Sequence, residues 1–324
     1  MLKWGLLGTA RINRRIIPAV RASSRSVVHA VASRDGVRAE AYAAEWMIPH
    51  AHASYDALLA SDVDIVYIAL PNSLHAHWTL RALSAGRHVL CEKPLALAPA
   101  DVDRVAQSAS ARGRIVAEGL MYRHMAQTRR VTEIVTAGEL GHVQSIVGGF
   151  THPQTRRDAD PRVDPALGGG ALWDVGCYPV SFAHMVAGAP PVSVTGAARM
   201  GPTGVDHAFA ATITYANGVT AQCHAGFRMA YHTSMRIVGT TGVLDIPHPF
   251  SPDPLDAFTI IRDHAVERIE VSGSAIFEDE VADMEDAVLG LRPQRVTLDE
   301  SRRLAETLSA LYRAARAQQT VALR

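Results

Sequence analysis

Two stretches of the chain carry residue types that folding alone does not explain. In Gly86-Arg-His-Val-Leu-Cys-Glu-Lys-Pro94 a short apolar run, Val89–Cys91, ends abruptly in Glu92, Lys93 and Pro94. Charges at a strand's end are expensive to bury and unnecessary for folding. The carboxyl end of a parallel strand is, however, where open α/β sheets bind ligands. An ammonium at Lys93 could move a proton there or lower the pKa of a neighbouring acid. The second stretch, Asp164-Pro-Ala-Leu-Gly-Gly-Gly-Ala-Leu-Trp-Asp-Val-Gly-Cys-Tyr178, sets three glycines before Trp173, Asp174 and Tyr178. Asp174 and Tyr178 are four apart and share a face if a helix runs through them, an inference that Pro179 weakens. The plain alternatives are a carboxylate compensating a helix dipole and a core aromatic with a bonded hydroxyl.

The elements that must position these residues follow from hydrophobic periodicity. In the first third, apolar runs at Lys3–Gly8, Val27–Ser33, Ile65–Leu70, Val89–Cys91 and Ile115–Glu118 alternate with helical patterns at Ile12–Ala22, Val37–Trp46, Ser73–Ala85 and Pro99–Ala111. That alternation predicts βαβ units and a doubly wound parallel (Rossmann) sheet, hence α/β. After a helix over Ala126–Ala137 the pattern becomes a run of strands between Val143 and Val271, with hairpin chemistry at Tyr215–Val219 and Val238–Val243. Helices are expected at Glu278–Leu289 and Asp299–Ala317, the latter capped by Asp299. The expected division is a dinucleotide-binding domain over 1–120 and an α+β domain with a large, mostly antiparallel open sheet over 121–324.

A parallel sheet of this kind places a phosphate at its first turn. Here that turn is Gly8-Thr9-Ala10-Arg11-Ile12-Asn13, which keeps only the first glycine of Gly-x-Gly-x-x-Gly/Ala. Its position after the first strand, opening the first helix, favours an anion. At the end of the second strand stand Ala32-Ser33-Arg34-Asp35. A dinucleotide site selective for NAD places an acid there, about 20 residues past the glycines. A hydroxyl followed by a guanidinium instead suits a 2′-phosphate, so NADP is favoured, with NAD the alternative and Asp35 read as a turn residue. Asn72 either caps the following helix or bonds a cofactor. His75 and His77 diverge and lack a third ligand, so no metal site is expected.

The totals bound the rest. A chain of 324 residues accommodates two cores. Lys plus Arg and Asp plus Glu are equal at 32 each, so bulk charge points to neither nucleic acid nor an anionic membrane. Three cysteines in apolar segments read as free buried thiols. No run approaches the about 18 apolar residues that span a bilayer, and no export signal precedes the first strand. A cytoplasmic location is the expectation.

In order along the chain, Trp4–Ile12, Ala32-Ser-Arg34, Ala69-Leu-Pro-Asn-Ser-Leu-His75, Gly86–Pro94, Glu118-Gly-Leu-Met-Tyr-Arg123 and Gly168–Tyr178 resemble the glucose–fructose oxidoreductase/inositol dehydrogenase (Gfo/Idh/MocA) family. The resemblance covers nearly the whole chain and is greatest to the dihydrodiol dehydrogenase and NADP-dependent sugar dehydrogenase branch, in Asp174-x-x-x-Tyr178. It implies cofactor contacts from Gly8, Thr9, Ala10, Arg11, Ile12, Ser33, Arg34, Leu70, Pro71, Asn72, His75, Glu92 and Lys93. It also implies substrate contacts from Arg123, Trp173, Asp174 and Tyr178, and a sugar, polyol or diol substrate. The polar loop His152–Asp164, with Arg156, Arg157, Asp158, Asp160 and Arg162, and His232 are further places for substrate contacts; the plain alternatives are a solvated mobile loop and, for Arg123, a bridge between the domains. Family members pair sheet to sheet, so a homodimer or homotetramer is expected, and Val143, Ile146, Ala210, Ile213, Ala221 and Phe227 are the residues expected on its buried face.

Oxidation of a secondary alcohol requires hydride loss from carbon and proton loss from oxygen. Tyr178 could carry that proton, but a phenol's ordinary pKa of about 10 is too high without a cation beside it. Lys93 either supplies the cation or, with its own pKa depressed, is the base. Asp174 would orient a hydroxyl or tune the pair, and Glu92 suits ion pairing or positioning. The rival readings are a glycosidase using transient hydride transfer and a non-catalytic cofactor sensor. The first lacks the export signal of such enzymes, and the second has no need of Lys93 and Tyr178.

Overall fold

The computed structural model describes residues 1–154 and 160–323. The expected substrate contacts Arg156, Arg157 and Asp158 lie outside the described residues. The chain forms two compact units, Met1–His124 with Ala275–Arg302, and Met125–Ser274 with Arg303–Arg324.

The first unit is built on six strands: β1 (Leu2–Leu7), β2 (Ser26–Ala32), β3 (His50–His52), β4 (Ile65–Ile68), β5 (His88–Glu92) and β6 (Val116–Gly119). All pair in parallel in the order β3-β2-β1-β4-β5-β6. Each crossover runs through a helix, and β4 is buried along its whole length, as a strand covered on both faces must be. Short β3 and the helix Tyr55–Ala60, with Ser54 as its N-cap, were not readable as elements, because three residues carry no period.

Residues 275–302, expected in the second domain, pack in the first unit. The reason is electrostatic as well as apolar. Helix Glu278–Val288 presents Glu285, fully buried, and Asp286 to the Arg25 guanidinium, at 2.8 and 2.5 Å. Ser26 ties Trp4 Nε1 (2.9 Å) to the same Glu285. A buried carboxylate needs such donors to offset its desolvation. The last helix, Leu298–Ala317, is capped by Thr297 rather than Asp299: Thr297 Oγ1 accepts the Glu300 amide and Glu300 accepts the Thr297 amide, a reciprocal box.

In the second unit nine strands form one sheet, from β7 (Val143–Pro153), β8 (Pro191–Met200), β9 (Asp206–Tyr215), β10 (Thr220–Gly226), β11 (Arg228–Gly239), β12 (Val243–Ile246), β13 (Leu255–Arg262), β14 (Ala265–Ser272) and β15 (Val321–Ala322). The order is β14-β13-β12-β11-β7-β10-β9-β8-β15, antiparallel except for β10 beside β7. Phe209, Ile213 and Tyr215 alternate with less buried neighbours, so one face holds the core.

The apolar residues expected on the other face divide between the two. Ile146, Ile213, Ala221 and Phe227 are all at most 2% exposed in the unit's own core, and only Ala210 is exposed, with Val143 half-buried. Val143 stands apart from the rest because the register of β7 against β11 shifts between Ser145 and Val143, where β7 carries an extra residue. The open face is a mixture of Val147, Ala210, Gln222, His224 and Arg236. Cys91, Cys177 and Cys223 are buried thiols that form no disulfide among the described residues. Among the described residues no helix is long and apolar enough to cross a membrane.

Candidate active site

In the first unit the expected residues gather at the carboxyl ends of β1, β2, β4 and β5, where loops leave the sheet. Gly8, ending β1, has φ of +104°, and a Cβ there would lie 3.0 Å from Leu70 Cδ2 and 3.3 Å from the Ala69 carbonyl oxygen. Only glycine lets the turn pass this close to the end of β4. Asn13, which departs from the fingerprint, is fully buried and donates from Nδ2 to the Gly8 carbonyl at 2.8 Å. It ties the turn to the helix it opens, Asn13–Ala22, which has no side-chain cap and no acid in its first turn. Thr9, Ala10 and Ile12 are half-buried around this end and Arg11 is exposed. A glycine turn beside an uncapped, acid-free helix end suits a pyrophosphate.

At the end of β2, Ser33 is buried and Arg34 exposed. The Asp35 carboxylate accepts the Arg38 amide at 3.3 Å and caps helix Gly36–Glu45, while its own amide donates to Ser33 Oγ at 3.2 Å. The acid that could take a ribose diol is therefore turned to its helix, leaving the guanidinium at the strand's end. Arg34 also stands beside Tyr55, whose hydroxyl pKa burial raises and Arg34 lowers.

Leu70, Pro71 and Asn72 are half-buried after β4, with Asn72 opening a single 3-10 turn, Asn72–Leu74. His75 departs from the expected contact. It is 1% exposed, with Nδ1 2.7 Å from the Pro94 carbonyl and Nε2 2.7 Å from the Leu70 carbonyl. Both ring nitrogens are thus used within the protein. Glu92 and Lys93 are half-buried at the end of β5, and Tyr67 donates to Glu92 Oε1 at 2.5 Å. Arg123, expected to meet substrate, is 8% exposed and pairs with Glu300 at 2.8 Å, which fastens the turn Met121–His124 to the start of the last helix.

Glu280 escaped the sequence reading. It is 2% exposed, and neither carboxyl oxygen has a hydrogen-bond partner among the described residues. Burial first, then Glu92 and Asp283, push its pKa well above the usual carboxylate range. Its only signal in the sequence is that it lies on the same helix face as Val281 and Met284. A group with a raised folded-state pKa adds stability at low pH and loses it as pH rises toward that pKa. Glu280→Gln is therefore expected to stabilise the protein more at pH 8 than at pH 5, read by urea midpoints at the two pH values. An equal effect at both would mean that Glu280 does not fold as the neutral acid.

In the second unit Leu172–Gly176 forms a π-helical turn running into helix Cys177–Ala187. Gly170, at φ +131°, precedes it, and a Cβ there would lie 2.3 Å from Asp206 Oδ1. Asp206 accepts the Leu172 amide (2.8 Å) and the Tyr312 hydroxyl (2.6 Å), so the helix start is anchored where no side chain fits at Gly170. Pro179 lies inside this helical run, directly after its π-helical turn, so the run lacks an amide donor there. Trp173 is 9% exposed against Tyr312.

Asp174 and Tyr178 do lie on this continuous helical run. Asp174 accepts from Arg162 Nε at 3.0 Å, with His152 Nε2 3.7 Å away, and Asp160 also engages Arg162. Tyr178 is 6% exposed in an aromatic cluster with Phe150 and Phe250, each with its ring centre 5.5 Å away. Arg162 and His152 thus emerge from the polar loop as partners of Asp174, while His232 stacks with His224 on the face of the sheet that carries Val147.

A parallel sheet in the order β3-β2-β1-β4-β5-β6 with a glycine turn after β1 is the architecture of a dinucleotide-binding domain. Residues 2–120 match the family described as "Oxidoreductase family, NAD-binding Rossmann fold", and residues 128–245 match the GFO/IDH/MocA C-terminal domain. The chain belongs to the GFO/IDH/MocA family and is an oxidoreductase. It is 37% identical to D-xylose 1-dehydrogenase (NADP(+)) 2 of Haloferax volcanii, over 97% of each chain. Its fold is similar to that of a 3-ketoreductase from Actinomadura kijaniata in complex with NADP and TDP-benzene, with a TM-score of 0.90, 32% identity and 97% of each chain covered. An aldose–aldose oxidoreductase from Caulobacter crescentus, complexed with glycerol, gives a TM-score of 0.91 at 27% identity over 99% of each chain.

Proposed function

We propose that this protein is an NADP-dependent oxidoreductase acting on a secondary alcohol or ketone of a sugar, polyol or trans-diol. The observation that carries this reading is Lys93, half-buried at the carboxyl end of β5 on a turn whose neighbouring groups are fixed by buried side chains. A D-xylose dehydrogenase and an aldose–aldose oxidoreductase are among the relatives, and the 3-ketoreductase is in complex with NADP, which agrees with a guanidinium rather than a free acid at the end of β2.

Bound NADP supplies the hydride acceptor or donor. The chain does the rest. Gly8–Ile12 hold the pyrophosphate, Ser33 and Arg34 the 2′-phosphate, and Leu70, Pro71 and Asn72 border the cofactor. Lys93 and Tyr178 handle the substrate proton, either with Lys93 as the base or with its charge favouring the Tyr178 phenolate. Asp174, held by Arg162, orients a substrate hydroxyl, and Trp173 borders it. A cytoplasmic location and a homo-oligomer formed through the nine-stranded sheet belong to the same reading; light scattering tests the second.

The deciding experiment is a panel of aldoses, inositols, keto-sugars and trans-diols, read by nicotinamide absorbance with NADP(H) and NAD(H). Turnover with at least one sugar or diol, and preference for NADP(H), are expected. Silence across the panel with NADP(H) still bound would move the protein to the sensor role, and silence with no cofactor binding would overturn both readings.

A further inference from the structure

The turn bearing Lys93 is gripped at three points by buried side chains of the same unit. Tyr67, fully buried in β4, donates to Glu92 at 2.5 Å. His75 meets the Pro94 carbonyl at 2.7 Å and, with its other nitrogen, the Leu70 carbonyl at 2.7 Å. Glu118, 1% exposed on β6, accepts the Leu95 amide through Oε1 at 2.9 Å. The residues on both sides of Lys93 are therefore fixed from two neighbouring strands and the helix His75–Ser84.

Packing a sheet does not require these groups. A carboxyl and an imidazole buried at strand ends each carry a desolvation cost that an apolar residue would avoid. A ring whose two nitrogens both face carbonyl oxygens donates to both only when doubly protonated, and a neutral ring donates to one. Burial, followed at a distance by the Lys93 ammonium, lowers the His75 pKa against the pull of the two carbonyls. Burial raises the Glu118 pKa, while the Ser301 hydroxyl, then the Leu95 amide and the Lys93 ammonium, act to lower it against the Glu300 charge. Both side chains are thus within electrostatic reach of Lys93 as well as bonded to its turn.

We propose that Glu118 and His75 are positioning residues for Lys93: they grip the Leu95 amide and the Pro94 carbonyl so that the turn holds the ammonium in one place before substrate arrives. The inference rests on the reading of Lys93 as the proton-handling group. Pre-set geometry matters because a displacement of about 1 Å at a reacting group can cost about 10²-fold in rate.

The test compares Glu118→Asp, Glu118→Gln, His75→Ala and Lys93→Met in the full chain, with kcat, KM and NADPH Kd measured on the best substrate of the panel. Glu118→Gln keeps an oxygen to accept the Leu95 amide and is expected to hold kcat within about threefold. Glu118→Asp withdraws the acceptor by one methylene and His75→Ala removes the Pro94 contact. Each is expected to lower kcat about 10- to 100-fold with NADPH Kd within about threefold. Full kcat in folded Glu118→Asp and His75→Ala overturns the proposal. So does a parallel loss of kcat and NADPH affinity, which marks general loosening, and so does failure of both variants to fold, which assigns the groups to stability. Lys93→Met separates the two levels. If it stays active, the reading of Lys93 itself falls; if it is inactive while Glu118→Asp is unimpaired, only the positioning inference falls.

Discussion

Lys93→Met is expected to lower kcat by about 10²–10⁴-fold, the range that a positioned acid–base group supplies, with NADPH Kd within a few fold. Methionine keeps most of the lysine's length and apolar stem, so the half-buried site loses the ammonium and little packing. The turn proposed to hold the phosphates, Gly8–Ile12, is tied by the Asn13 contact to Gly8 and does not depend on that ammonium. Binding and turnover should therefore separate. Isothermal titration with NADPH beside steady-state kinetics gives both numbers, and a variant that kept substantial kcat would remove Lys93 from the mechanism. The same pair of measurements on Tyr178→Phe distinguishes the two proton schemes. If Lys93 is the base, the phenol's loss should cost less than the ammonium's; if Tyr178 is the base, the two losses should be comparable.

Arg34→Ala is expected to weaken NADPH by about 10- to 100-fold, the worth of a charge-assisted hydrogen bond at about 1.5–3 kcal/mol, and NADH by far less. Arg34 is exposed at the end of β2 beside Tyr55, and a guanidinium's forked donors match phosphate oxygens. Asp35 cannot easily take over as a ribose acceptor, because its carboxylate caps helix Gly36–Glu45. Equal losses for the two cofactors would defeat the NADP assignment. Arg34→Ala,Asp35→Ala would then show whether the cap itself was the source of the loss, since removing an N-cap typically costs about 1 kcal/mol of stability without regard to cofactor.

Much of this molecule was legible before any coordinates. Ile65–Leu70 and Val89–Cys91 read as buried parallel strands because β-branched and apolar residues in short runs between helical patterns have few other homes, and strands stand at Ile65–Ile68 and His88–Glu92. The change to hairpins after residue 143 was legible for a similar reason, since period-two alternation and turn residues are local signals. The sheet's faces were assigned less well. Alternation along each strand is a local signal, but which face meets the helices, and where β7 gains an extra residue beside Val143, is not.

What the sequence determined by itself is the chemistry offered at each place: a lysine ending β5, a glycine turn ending β1, a serine and arginine ending β2, and an Asp–Tyr pair on one helical run. These depend on residue type and on spacing within a dozen residues, where backbone geometry is nearly fixed. Only the tertiary structure decided how those groups are held. Residues 275–302 joined the first unit because Arg25 and Glu285, 260 positions apart, pair there. His75 passed from expected cofactor contact to a tie between two carbonyls, Arg123 became the partner of Glu300, and Glu118 came to grip the turn of Lys93. Each of these depends on burial and on partners distant in the chain, and a buried acid or histidine has the same letter in the sequence as a solvated one.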